Sequence, residues 1–308
     1  VGMGYEHIGE QSDGKFFPPK GRLVGINGRA VHVYAAGQGD VTVVFAAGWG
    51  IPSPYVDFYP LWSELAGQAR VVVYDRPGYG WSQVTPVPRT IDAISGEVHA
   101  LLEASGEKPP YVLVGHSIGS LELLRFAELY PKEVKGLVLI DGSSPGMYAH
   151  IVPASFMARA RWWLFEAFIR CANATGLSRL LFHVVPGFYE ATPLGVGRNG
   201  LPGVPDGFKT LDTALFLRNF GNRNQRDEAG LKPSNCDVVA AHGRLGNLPL
   251  IVVTSGAFYG QPSLRACQDE LKDWSTASEQ ILVPDAGHAV HWSHPEVVLA
   301  AIRKLLAQ

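Results

Sequence analysis

Gly115-His116-Ser117-Ile118-Gly119 is a G-x-S-x-G with a strand pattern before it and a helix pattern after it. Upstream, Tyr111-Val112-Leu113-Val114 is a short apolar run that reads as a buried strand. Downstream, Leu121, Leu124, Phe126 and Leu129 recur at helical spacing, and Pro131 stops the run. A serine pinched between strand and helix sits on a sharp turn that small flanking residues permit. Gly115 and Gly119 supply that freedom, so the turn lifts the hydroxyl off the sheet and aims the helix N-terminus at it. A bare G-x-S-x-G recurs by chance. With both elements in place it predicts that Ser117 is a nucleophile.

The alternation continues on either side. Arg22 to Ala36 reads as two strands around Asn27-Gly28, a tight hairpin signal. Predicted strands at 41–47, 71–74 and 134–140 alternate with predicted helices at 55–68 and 91–104. Continuous apolar strands separated by helices indicate a mostly parallel sheet with helices on both faces. After Asp141 about a hundred residues pass before the next clear strand at 250–254, too many for a simple connection. This span, 143–247, is expected to be an inserted helical cap between a first core part, 1–142, and a second, 248–308. The opening residues, 1–20, are polar and rich in Gly and Pro and read as an irregular arm. Phe156, Trp162, Trp163, Phe165 and Phe168 recur at helical spacing in the cap and read as its core.

With 308 residues, 46% of them hydrophobic and 18% charged, the chain can bury one large core. The net charge of −2 and the absence of any Lys/Arg block point away from nucleic acid and anionic membrane as partners. No apolar run approaches a membrane span. The chain starts at Val1 without an initiator Met, so an upstream segment, and with it the compartment, stays open. Oligomeric state is likewise open. Cys171, Cys236 and Cys267 are scattered, lack metal-ligand spacing and read as three packed thiols; a Cys171–Cys236 disulfide is the pairing to examine only in an exported protein.

A serine hydroxyl needs a base. His288, in the loop Pro284-Asp285-Ala286-Gly287-His288 after the last predicted strand, is the candidate; His291 and His294 lie where the final helix begins. Backbone N–H groups should hold an oxyanion. Ile118 follows the serine, and in Ala47-Gly48-Trp49-Gly50 the flexible Gly48 lets the Trp49 N–H turn inward. The carboxylate that orients the base is harder to place. The loop after strand 250–254, Ser255 to Gly260, has no acid, while Asp269, Glu270 and Asp273 fall on a predicted helix. Asp141 ends the strand that follows the nucleophile helix, beside Ser117 in a parallel sheet, and is the expected acid.

Taken together these residues resemble the α/β-hydrolase fold family, in the chain order serine, acid, histidine. Asp75-Arg76-Pro77-Gly78-Tyr79-Gly80-Trp81-Ser82 looks like the D-R-x-G-x-G-x-S loop of its esterase, dehalogenase and haloperoxidase-like branch, and is taken as structural. Gly287-His288 with His294-Pro295-Glu296 resembles the family's C-terminal ending. There are departures. Ala47 replaces the His that often precedes the oxyanion Gly, and the acid usual after the seventh strand is missing. Members that carry the acid at the end of the sixth strand resemble this chain at Asp141. Ser117 in place of Asp argues against the epoxide hydrolase and haloalkane dehalogenase chemistries.

The resemblance implies a serine hydrolase that cleaves carboxylic esters of apolar, small-to-medium substrates through an acyl-enzyme, without metal or cofactor. A C–C bond hydrolase, amidase, lactonase, thioesterase or perhydrolase would use the same triad. A ligand-binding protein on the same scaffold is the alternative of a different class.

Overall fold

In the computed structural model, which describes residues 2–150, 155–185, 187–188, 201 and 203–308, the backbone is organised by one eight-stranded sheet. Its strands are β1 (Arg22–Ile26), β2 (Arg29–Ala36), β3 (Thr42–Ala46), β4 (Arg70–Tyr74), β5 (Tyr111–His116), β6 (Val134–Ile140), β7 (Leu250–Ser255) and β8 (Ser278–Val283). Their order is β1-β2-β4-β3-β5-β6-β7-β8. The first two pairings are antiparallel and the rest parallel. Asn27 and Gly28, both at positive φ, close the β1–β2 hairpin where the sequence signal placed it.

Strands β3, β5 and β7 are buried at every residue, as strands covered on both faces must be. Side-chain alternation divides them between two cores. On one face Val43 and Phe45 pack with Phe58, Leu61 and Leu299. On the other Val44 and Ala46 pack with Leu101, Leu121 and Phe126. Each fully buried aliphatic or aromatic side chain contributes about 2 kcal/mol, so the two cores together dominate the folding energy. The helices Ile91–Ala104 and Gly119–Leu129 cover the second face, and Tyr59–Leu65 with Pro295–Leu306 cover the first.

Between β6 and β7 the described residues form helices at Met147–His150, Phe156–Ala174, Leu177–Val184, Phe208–Asn219 and Arg223–His242. Positions 151–154, 186, 189–200 and 202 of this insertion lie outside the described residues.

Three expectations need correction. The N-terminal residues are a helix, Gly2–Phe16, rather than an irregular arm. It lacks an apolar stripe because it docks through charge: Arg179 on the insertion donates to Glu6 at 2.7 Å and to Asp13 at 2.7 Å. The helix predicted at 55–68 is two short ones, Pro54–Asp57 and Tyr59–Leu65, broken at the buried Phe58 just ahead of Pro60. The aromatic run of the insertion is not its core: Phe156, Trp163, Phe165 and Phe168 are exposed, while the same helix buries Ala172 and Asn173 near its end. The side chain of Trp162 lies outside the described residues. The three cysteines are free, as the sequence reading has them; Cys236 is buried against the Ser144 carbonyl, while Cys171 is exposed rather than packed.

The helix that follows Ser117 starts hard against β3. A Cβ on Gly119 would lie 2.3 Å from the Ala46 carbonyl oxygen. Gly119→Ala should therefore destabilise the protein by about 1–3 kcal/mol in urea unfolding. Exposed Gly230, mid-helix with nothing near its Cβ position, makes the control. Gly230→Ala should stabilise by roughly 0.5–1 kcal/mol, and equal shifts for both variants would contradict the packing argument.

Candidate active site

The candidate residues gather at the carboxyl ends of the parallel strands, where open α/β sheets leave a crevice. Ser117 follows β5 with φ at +54°. The strain is held by crowding and by hydrogen bonds. A Cβ on Gly115 would fall 2.9 Å from the Ser120 backbone, so the turn closes only around glycine. The Ser117 N–H donates to Ile140 O at 3.0 Å, and its carbonyl accepts from the Ser143 N–H at 2.9 Å. Register pairs His116 with Ile140, which sets Ser117 level with Asp141 on the neighbouring strand.

Asp141 is also left-handed, with φ at +42°, and its N–H donates to Val253 O at 2.9 Å. Its carboxylate is fully buried. Oδ1 accepts the Ser255 N–H at 2.7 Å, and Oδ2 accepts the Ser255 hydroxyl at 2.6 Å. The same Oδ2 faces His288 Nδ1 at 3.2 Å. His288 keeps 39% of its side chain exposed while Asp141 keeps none, so the imidazole is reachable and the carboxylate is dry. With Nδ1–H on the carboxylate, Nε2 is the nitrogen left for a hydroxyl. The Ser117 hydroxyl itself has no hydrogen-bond partner among the described residues, and Ser117 is half-buried. The ring of Phe258 lies flat on His288, with centroids 4.6 Å apart and planes 5° apart. Of the other acids weighed, Asp269 and Asp273 are exposed, and Glu270 accepts the Gly146 N–H. The rival histidines are engaged elsewhere: His291 with Asp57 and His294 with Asp285.

Gly48 abuts Ser117. A Cβ there would sit 3.3 Å from both Ser117 Cβ and His116 Nδ1. Arg76, buried, donates to Ala47 O at 2.8 Å and to Gly48 O at 3.2 Å. A trans peptide directs N–H opposite to C=O, so anchoring the Gly48 carbonyl turns the Trp49 N–H away from Arg76. Ile118, half-buried, begins the helix after Ser117. Asp75 does not face the crevice: it accepts from His32 Nδ1 at 2.8 Å and from the Trp81 N–H at 2.9 Å.

The sequence profile described as the alpha/beta hydrolase family matches residues 43–301. The chain belongs to that family. Membership supports a hydrolase activity. Among curated proteins, the uncharacterized YbdG of Bacillus subtilis is 35% identical over 47% of this chain and 44% of its own length. Pimeloyl-(acyl-carrier protein) methyl ester esterase of Shewanella woodyi is 34% identical over 37% of this chain and 40% of its own length. The chain thus spans less than half the length of these relatives. Among solved structures, one described as Est816, an N-acyl homoserine lactone degrading enzyme, superposes with a TM-score of 0.64 at 19% identity, covering 92% of this chain and 99% of that one. That likeness is one of fold.

Three residues that frame this site carried no sequence signal of their own: Ser255, Phe258 and His116. Ser255 caps the short helix Gly256–Tyr259, accepting from the Phe258 N–H, and a serine at a strand end before a helix was the available clue. His116 is buried, donating Nε2–H to the His288 carbonyl at 3.1 Å. Burial first, then the neighbouring His288 and His291, hold its pKa well below the ordinary 6.5. Among the described residues, Asp57, His116 and His291 also form a buried group of metal-ligand type.

His116 carries a linkage consequence. The native ring stays neutral, whereas the unfolded one takes a proton below about pH 6.5, so its contribution to stability is lost as pH falls. His32 has the opposite sign: burial lowers its pKa, but Asp75 outweighs burial and the net shift is upward. His116→Gln should gain on the native protein by up to about 1.4 kcal/mol per pH unit between pH ~6.5 and ~5 in denaturant titrations. Parallel curves would mean that His116 titrates normally in the fold.

Proposed function

We propose that the chain is a serine hydrolase acting on carboxylic esters. Ser117 Oγ attacks the ester carbonyl while His288 Nε2 takes its proton. Asp141 keeps the imidazole in the Nδ1–H tautomer and stabilises its charged form. The tetrahedral oxyanion is received by the N–H groups of Ile118 and Trp49. Collapse of the intermediate releases the alcohol, protonated by His288, and leaves an acyl group on Ser117. Water, deprotonated by the same imidazole, then attacks the acyl carbonyl and frees the acid.

The observation that carries this reading is the contact of His288 Nδ1 with a buried carboxylate at 3.2 Å, at the strand ends that also hold Ser117. A surface-loop histidine has no reason to meet a dry carboxylate already bonded twice by Ser255. Ser117 and His288 share no direct hydrogen bond among the described residues, and nucleophile–base contacts commonly tighten only once a substrate is bound. A serine rather than an aspartate at position 117 favours an acyl-enzyme over an alkyl ester. The names of the esterase relative and the lactone-degrading neighbour lean the same way, since a lactone is an internal ester.

A panel of p-nitrophenyl esters tests it. Ser117→Ala should lower kcat/KM by at least roughly 10³-fold. Asp141→Asn should lower kcat by roughly 10⁴-fold with the fold intact by circular dichroism, because the amide favours the wrong imidazole tautomer. Equal hydrolysis by native protein and Ser117→Ala would reject the nucleophile. Near-native turnover by Asp141→Asn would remove the acid from the mechanism.

A further inference from the structure

Behind His288 lies a second, wholly buried set of polar side chains. Asp57 ends the helix Pro54–Asp57, His116 is the last residue of β5, and His291 lies on the short helix Val290–Ser293 that follows the His288 loop. All three are at most 4% exposed. His291 Nε2–H donates to Asp57 Oδ2 at 3.3 Å, and Trp292 Nε1–H donates to Asp57 Oδ1 at 3.4 Å. The His291 ring meets the His116 ring edge-on, with centroids 4.7 Å apart. His116 Nε2–H then reaches the main-chain carbonyl of His288 at 3.1 Å, and the two rings stand 4.6 Å apart.

The arrangement has a direction. A carbonyl only accepts, so His116 must carry its proton on Nε2, which makes Nδ1 the lone-pair side. No other hydrogen bond holds the His288 carbonyl among the described residues. The loop from Pro284 to Ala289 is itself neither helix nor strand; the Ala257 N–H holds its Ala286 carbonyl at 3.2 Å and Phe258 covers the His288 ring, yet the histidine has to meet Asp141 on one edge and a hydroxyl on the other. His116 is covalently next to Ser117, so a bond from His116 to His288 ties the base to the nucleophile's own strand. We propose that Asp57, His291 and His116 are positioning residues for His288. Asp57 fixes the His291 ring, His291 wedges the His116 ring, and His116 holds the His288 backbone so that its imidazole spans Asp141 and Ser117. The inference rests on the hydrolase reading for its kinetic arm, but its spectroscopic arm stands alone.

The test compares His116→Met, which removes the donor, with His116→Gln, whose amide nitrogen can replace Nε2–H. The readouts are kcat and KM on a p-nitrophenyl ester, and the downfield Nδ1–H resonance of His288 in ¹⁵N-histidine-labelled protein. Misplacing a catalytic group by about 1 Å costs roughly 10²-fold. His116→Met should therefore lower kcat by roughly 10²-fold at a nearly unchanged KM, and broaden or lose the resonance. His116→Gln should restore both. A His116→Met protein with native kcat and an intact resonance overturns the proposal. Should that variant not fold, Asp57→Asn takes its place, with a loss in the same direction expected and unchanged kcat and resonance overturning the idea. If native protein and Ser117→Ala prove equally active, the hydrolase reading fails, and the resonance alone decides the positioning. Native activity that is abolished by a chelator and restored by Zn²⁺ would also overturn it, since the three side chains would then be metal ligands.

Discussion

The buried guanidinium of Arg76 is the constraint around which the site's framework closes. A charge taken out of water costs several kcal/mol unless every face of it is met, and removing one partner of a buried pair costs about 3–5 kcal/mol. Here the faces are met from three different parts of the chain. The loop after β3 gives the carbonyls of Ala47 and Gly48, the helix after Ser117 gives Glu122 at 3.1 Å, and the insertion gives Glu228 at 3.3 Å. Tyr79 adds its ring face at 4.7 Å and donates its hydroxyl to Glu228. None of these elements can shift without exposing the others' charge, so one cation fixes the loop proposed to hold the oxyanion against the helix that carries Ser117. The D-R-P-G-Y-G-W-S stretch is therefore framework. Gly80 is obligatory in it, because a Cβ there would collide with the Asp75 carboxylate.

A second constraint follows from where Asp141 sits. With Asp141 at the end of β6, the end of β7 is relieved of supplying a carboxylate and supplies its support instead. Ser255 donates twice to Asp141 and caps the turn that presents Phe258 flat against His288. Charge-assisted hydrogen bonds of this kind are roughly twice as strong as neutral ones and hold the buried carboxylate in one orientation. The cost appears in the backbone: Ser117 and Asp141 both occupy the left-handed region, where a side-chain-bearing residue is strained by about 1–3 kcal/mol. Adjacent strand ends, held by the same ladder, bear that strain together.

What was legible in the sequence tracks what burial writes into it. β3, β5 and β7 are apolar at nearly every position because both faces are covered, and that makes them readable without a periodic pattern. Ser117, His288, Gly48 and Asp141 could be placed because strand order decides which chain ends become neighbours. The helix Arg223–His242 went unseen for the opposite reason. Its inward face is mostly amides and acids, with Cys236 and Val239 the apolar exceptions, and the polar groups bind main chain: Asn224 holds Thr85, Asp227 holds the Arg89 N–H, and Asn235 holds Ile91 and Arg89. Such a face has no apolar stripe to detect, and Gly230 and Pro233 argue against a helix locally. The N-terminal helix, docked through Glu6 and Asp13, hid in the same way. His116 was lost because a motif's variable position carries no spacing signal.

The insertion and the core meet at a residue that belongs to both. Trp49 follows Gly48 beside Ser117, and its indole N–H donates to the Gln225 carbonyl at 2.8 Å. Its ring faces Phe220 at 6.3 Å, and the Lys232 ammonium lies over it at 4.9 Å. The backbone of this residue is thus set by Arg76 through the preceding carbonyl, while its side chain is set by the helix Arg223–His242. That helix is itself anchored to Arg76 through Glu228, so the two restraints on Trp49 close into one loop of contacts. A change in the insertion that moved this helix would act on Trp49 through its ring and on Gly48 through Arg76 at once. Placement of the proposed oxyanion donor therefore depends on the insertion as much as on the core, because the same helix bears on both the ring and the backbone of Trp49.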